Sequence, residues 1–157
     1  MALVALCVAP ASAGNPENLT ASVTVNSIVS LTVADHGDTG INFGSVVYAG
    51  NIKELAQNGT NGAVSLTLGA EGNADCDLRI NGSGNFSAGA GKSIPLSQAT
   101  WNTANETNTA TAVTTTATTM AVASPGTTTE VYHWLTVPMG TAAGTYTTTF
   151  TYTAVAR

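Results

Sequence analysis

Apolar and polar residues alternate along the chain from Leu19 to Val33, an unusual distance for one strand. Leu19, Ala21, Val23, Val25, Val29, Leu31 and Val33 fall on one face, and Thr20, Ser22, Thr24, Asn26, Ser30 and Thr32 on the other. Only Ser27 and Ile28 break the phase. A period of two is the signature of a half-buried β-strand. Fifteen residues at about 3.3 Å each would stretch roughly 50 Å, far beyond the usual strand of about five or six residues. Either a kink at Asn26-Ser27 divides two strands, or part of the segment leaves its own domain.

The same period recurs downstream. Asp35 to Gly40 is turn chemistry, and a second strand is expected over Ile41 to Tyr48. Asn51 to Gln57 reads as a short helical turn, and Asn58 to Gly62 as a turn cluster. Strands are expected at Ala63 to Leu68 and Leu78 to Ile80, with a glycine-rich surface loop over Asn81 to Gly91. Ser93 to Leu96 reads as an edge pairing, because Pro95 cannot donate to a ladder. A loop around Asn102 to Thr109 precedes an edge strand within Ala112 to Val122. Glu130 to Val137 places Val131, His133, Leu135 and Val137 on one side and Tyr132 and Trp134 on the other. In the closing segment, Thr145 to Val155, Tyr146, Phe150, Tyr152 and Ala154 share a face and Thr147, Thr149, Thr151 and Thr153 share its opposite. About seven or eight short antiparallel strands with turns between them indicate a single all-β sandwich, immunoglobulin-like or jelly-roll-like.

Composition agrees. Of 157 residues, 43% are hydrophobic and only 8% charged, with a net charge of −5. Threonine, which suits a pleated, half-wet surface, is abundant, and the usual helix formers are scarce. A helical bundle and an ordinary cytosolic α/β enzyme are excluded. Lys53, Arg79, Lys92 and Arg157 are the only basic side chains and are scattered, so no face suits nucleic acid.

Ala2 to Ala9 is an apolar run followed by Pro10 and Ala11-Ser12-Ala13. This is the pattern of a secretory signal cleaved after Ala13, although a buried first strand is the competing reading. No basic residue precedes the run, which places the start of the signal upstream of Met1. The organisation expected is a signal over 1–13, an N-terminal extension over 14–26 and a sandwich domain over 27–157. The mature chain is then secreted to the cell surface with no membrane span. Removal of the signal takes Cys7 and leaves Cys76 alone between Asp75 and Asp77, a poor nucleophile with no internal disulfide partner.

Catalytic chemistry is scarce. Gly89-Ala90-Gly91-Lys92-Ser93 ends like a phosphate-binding loop, but the pattern needs a glycine where Phe86 stands. His36 among Asp35 and Asp38 has too few carboxylates for a calcium loop, and His133 has no second ligand at metal spacing. No Gly-x-Ser-x-Gly elbow picks out a triad. The reading is therefore not an enzyme, with no catalytic, cofactor-binding or metal-binding residues and no cofactor. Five triplets fit the N-glycan acceptor pattern, at Asn18, Asn58, Asn81, Asn85 and Asn105, so covalent glycans are an expected modification.

Three stretches carry a resemblance: Ile41-Asn42-Phe43-Gly44-Ser45-Val46, Trp134-Leu135-Thr136-Val137-Pro138, and Gly140 to Tyr146 with the threonine-rich strand after it. Together they resemble secreted β-sandwich filament subunits, nearest to archaeal bundling pilins and the bacterial TasA and camelysin proteins of cell-surface and biofilm filaments. Spore coat U-type and chaperone–usher pilins share a similar Phe-Gly opening and Gly-Thr-Tyr closing strand. The cysteines usual in the early strands of spore coat U-type subunits are missing from Val25 to Leu31, which favours the archaeal or TasA-like side. The resemblance implies a homopolymer joined by donor-strand complementation, in which one subunit's extended segment fills a strand position in its neighbour. Glu17 to Asn26 would then be the donor, with Leu19, Ala21, Val23 and Val25 facing the groove, and Ser27 to Val33 the subunit's own first strand. Burying those four side chains would remove about 300 Å² of apolar area, worth roughly 7 kcal/mol before ordering costs. The alternative is a monomeric surface or adhesin module that binds carbohydrate on an aromatic platform drawn from Tyr48, Trp101, Tyr132 and Trp134.

Overall fold

The computed structural model describes residues 22–35, 40–45, 53–58 and 61–157. Among them the chain forms β1 (Leu31–Ala34), β2 (Lys53–Leu55), β3 (Ala63–Leu68), β4 (Cys76–Gly82), β5 (Phe86–Ser87), β6 (Ser93–Ile94), β7 (Ala99–Asn102), β8 (Thr111–Ala112), β9 (Thr118–Ala123), β10 (Thr128–Thr136) and β11 (Phe150–Ala156). A single 3₁₀ turn over Leu96–Gln98 is the one helical element among the described residues. The larger sheet has the order β1-β3-β10-β7-β8, with β2 pairing the far end of β10, and the smaller sheet has the order β11-β4-β9. β5 and β6 form a small hairpin. Every pairing is antiparallel, and the sheets pack as an all-β sandwich.

Alternation decides which side chains enter the core. In β4, Cys76, Leu78, Ile80 and Gly82 are buried while Asp77, Arg79 and Asn81 are half-buried. Val64, Leu66 and Leu68 of β3 and Val131 and Leu135 of β10 meet them from the larger sheet. Tyr146, Phe150, Tyr152 and Ala154 pack against this core, while Thr147, Thr149, Thr151 and Thr153 are exposed. The period in the closing segment therefore reports the true register, although the strand itself begins only at Phe150.

The larger sheet also carries a cover on its outer face. Trp134 is only 2% exposed and stacks on Tyr132 with ring centroids 6.3 Å apart. On this side Lys53 Nζ donates to Thr107 O at 3.0 Å, and Asn102 Nδ2 donates to Glu106 O and Thr109 Oγ1. These bonds tie the loop after β7 to β2.

Several expected elements differ. Ile41 to Ser45 is irregular rather than part of a strand, and the rest of the segment expected to reach Tyr48 lies outside the described residues. Lys53–Leu55, inside the expected helical turn, is a strand because its backbone pairs with Trp134 to Thr136; tertiary pairing overrides the helical preference of Lys-Glu-Leu. The chain then turns back at Gly62, whose φ is +74° and where an added Cβ would collide with Ala56 O. The expected glycine-rich loop is shortened, since β4 extends to Gly82 and the tip pairs as β5 and β6. The single strand expected within Ala112 to Val122 is divided into β8 and β9, with Val113 buried in the core between them. The first strand starts at Leu31 rather than Ser27.

Candidate functional site

The two long sides of the sandwich are unlike. On one side the chain crosses from β8 to β9, with Val113 N donating to Ala99 O at 2.8 Å and Gly82 N donating to Thr114 O at 2.9 Å, so backbone bonds close that seam. On the other side β1 is the edge of the larger sheet and β11 the edge of the smaller one. Between them lies a groove of about 530 Å³. Val33 and Val64 wall it from the larger sheet, Phe150 and Tyr152 from the smaller, Ile41 and Phe43 from the irregular 40–45 segment, and Phe86 from β5.

Of these wall residues Val64 and Phe86 are buried, whereas Ile41, Phe43, Phe150 and Tyr152 are only half-buried. Val33 pairs opposite Leu66, placing it on the core face, yet it is 46% exposed. Phe150, Tyr152, Ala154 and Ala156 alternate as half-buried positions along β11. Its neighbour in the same sheet, β4, reaches full burial at every second residue. The difference arises because β4 has a strand on each side and β11 has only one among the described residues.

Asn58 holds one rim of this groove. It is fully buried, and its Nδ2 donates to Gly40 O at 2.7 Å while its Oδ1 accepts from Asn42 N at 3.4 Å. Gln57 N adds a bond to Asn42 O at 2.7 Å. The irregular 40–45 segment thus follows the groove because a buried carboxamide pins it. Asn58, the first residue of an expected acceptor triplet, is here a buried carboxamide, and Gly59 and Thr60 of that triplet lie outside the described residues. Of the other triplets, Asn81 lies within β4 opposite Thr151. Asn85 is exposed, with its Oδ1 accepting from Leu96 N at 2.9 Å, and Asn105 is exposed in a loop. Asn18 lies outside the described residues.

Beneath the groove sits a polar pair. His133 is fully buried, 2.7 Å from the Tyr152 hydroxyl through Nε2, with its ring against Phe150. Burial pulls the imidazole from its ordinary 6.5 down to about 3, so it is neutral at physiological pH. Burial likewise pushes the Tyr152 hydroxyl above its ordinary value.

The N-terminal segment contrasts with this interior. Residues 22–30 form no strand, and Val23 and Val25 are 87% and 76% exposed. Leu19 and Ala21 lie outside the described residues, as do the expected signal and His36. Of the proposed aromatic platform, Trp101 and Trp134 are buried and Tyr132 is half-buried, while Tyr48 is not described. Cys76 is a free thiol in the core. Asp77 beside it pairs with Arg79 at 3.0 Å and Arg157 at 3.4 Å. Gly89 to Gly91 is the turn of the β5–β6 hairpin, where Lys92 Nζ donates to Ala143 O. Among the described residues, no three acidic, histidine or cysteine side chains converge as metal ligands. No helix among them is long and apolar enough to cross a membrane.

The groove and the exposed alternating segment are the features that chemistry can use: one offers a strand edge with no second partner among the described residues and an apolar floor, the other an irregular stretch whose Val23 and Val25 are exposed at alternate positions. Sequence reasoning identified the segment but not the groove or Asn58. A groove is a missing neighbour, which no local pattern encodes, and Asn58 resembles any turn asparagine until its burial is seen. Comparisons with protein-family models, with curated proteins and with solved structures return no match.

Proposed function

We propose that this chain is the structural subunit of an extracellular filament, assembled head-to-tail from copies of itself. In this reading residues 17–26 of one copy lie beside β11 of the next, as a donor strand that fills the open seam. One observation carries it: among the described residues, the chain holds both a partly apolar groove beside a strand edge with no second partner and an exposed segment in which Val23 and Val25 continue the period of two.

The dimensions agree. Leu19 to Val25 spans seven residues with four apolar side chains at alternate positions, and β11 spans seven with four core-facing positions. The ends also agree. The segment leaves near Leu31, which pairs with Leu68 beside the turn that precedes β4. The groove lies toward Phe150, which pairs with Gly82 at the other end of β4. A donor leaving one end and an acceptor opening toward the other give a contact that propagates instead of closing on itself. The main chain of the donor would satisfy the free edge of β11, and its valines would cover Phe150, Tyr152 and Val33.

Negative-stain microscopy of native cell-surface material, with antibody labelling of this chain, tests the reading. Labelled filaments one sandwich wide are expected. Dispersed label with no filament would overturn it and return the monomeric surface module to first place.

A further inference from the structure

We propose that the turn from Gly69 to Asn73 is a clasp that sets the direction in which the N-terminal segment leaves the sandwich, with Asn73 as its positioning residue. Asn73 Oδ1 accepts from Ile28 N at 2.8 Å, and Asn73 Nδ2 donates to Asn26 O at 3.0 Å. One carboxamide therefore holds two backbone groups two residues apart, as a neighbouring strand would. Gly69 N adds a third bond, to Ser30 O at 2.9 Å. Residues 26, 28 and 30 are thus held in sequence by partners far away along the chain, Asn73 and Gly69.

The turn is shaped for this contact. A Cβ at Gly72 would come within 3.3 Å of both Ile28 O and the Pro125 ring, so glycine lets the segment lie close. The clasp falls where the alternating pattern breaks, at Ser27-Ile28. There the chain stops following the phase that β1 uses and is gripped by a side chain instead. Beyond it Val25 and Val23 stand almost fully in solvent. An arm held by three bonds at its base cannot sweep freely. Its angle to the sandwich is a property of the folded subunit, not of the chain's entropy.

If the arm is the donor strand, as the filament reading requires, its base angle becomes the angle between successive subunits, and filament stiffness depends on Asn73. Asn73→Ala removes both carboxamide bonds at an exposed position and leaves the core intact. Asn73→Asp keeps an acceptor for Ile28 N and loses the donor to Asn26 O. Hydrogen exchange at the Ile28 amide, thermal unfolding and filament persistence length are measured on the full chain. The expected result for Asn73→Ala is exchange at least tenfold faster at Ile28, an unchanged unfolding midpoint, and filaments that still form but bend several-fold more easily. Asn73→Asp should retain most of the Ile28 protection. Unchanged Ile28 exchange in Asn73→Ala would overturn the clasp. Faster exchange with unchanged filament stiffness would overturn its positioning role while leaving assembly standing. Faster exchange in a chain whose unaltered form makes no filaments would support the clasp and defeat the assembly reading alone.

Discussion

Phe150 occupies the boundary between the core and the groove, with its ring 6.0 Å from Phe86 and 5.6 Å from His133, yet it is only half-buried. Truncation to alanine should destabilise the subunit by about 2–3 kcal/mol, below the range for a fully enclosed phenylalanine because one side already faces water. Thr149→Ala, on the exposed side, should stay within about 0.5 kcal/mol; equal effects in denaturant titration would contradict the register. His133 makes a second residue-scale prediction. Its folded form resists protonation down to about pH 3, whereas the unfolded chain takes up a proton near 6.5. Between those values the unfolded state binds more protons, so stability is complete above about pH 6.5 and falls as pH decreases, at a slope approaching about 1.4 kcal/mol per unit. Urea unfolding between pH 7 and 5, largely above the range of ordinary carboxylates, should show that slope in the unaltered chain and lose it in His133→Gln. Tyr152 acts at the other end of the scale. Its folded hydroxyl keeps its proton longer than in the unfolded chain, so stability falls as pH rises beyond 10.

At the scale of elements, β11 has one partner among the described residues where its core-facing residues call for two. A peptide of residues 17–26 added to a chain lacking residues 14–26 should seat on that edge and raise the unfolding midpoint by several degrees, through ligand linkage to the folded state. The same peptide carrying Val23→Asp should not, because an unpaired carboxylate would enter the apolar groove. Equal shifts from both peptides would place the contact elsewhere. Strands with a long unbroken alternation were the easiest to read from sequence. β3, β10 and the face of β11 follow directly from alternation at Val64 to Leu68, Val131 to Leu135 and Phe150 to Ala154. The elements that sequence missed are those defined by distant partners. β2 exists because Trp134 to Thr136 offer a ladder. The Ile41–Ser45 segment gives up strand geometry because Asn58 captures Gly40 and Asn42. Val113 interrupts a threonine-rich run because it plugs the closed seam. The long N-terminal alternation was visible, but its division at the Asn73 clasp depends on a side chain some forty-five residues away.

The whole molecule combines a low charge content, one seam closed by backbone bonds and, among the described residues, one left open, and an N-terminal segment whose Val23 and Val25 stand in solvent. A free subunit exposes both surfaces, which invites aggregation; pairing them between copies removes both exposures at once. The central claim is that residues 14–26 supply the strand missing beside β11 of a neighbouring copy. Its most direct test is electron microscopy of purified subunits with and without residues 14–26, prepared side by side. The account predicts filaments from the complete chain. The truncated chain should give only monomers or amorphous aggregate, with the sandwich still folded by circular dichroism. Normal filaments from the truncated chain would contradict it.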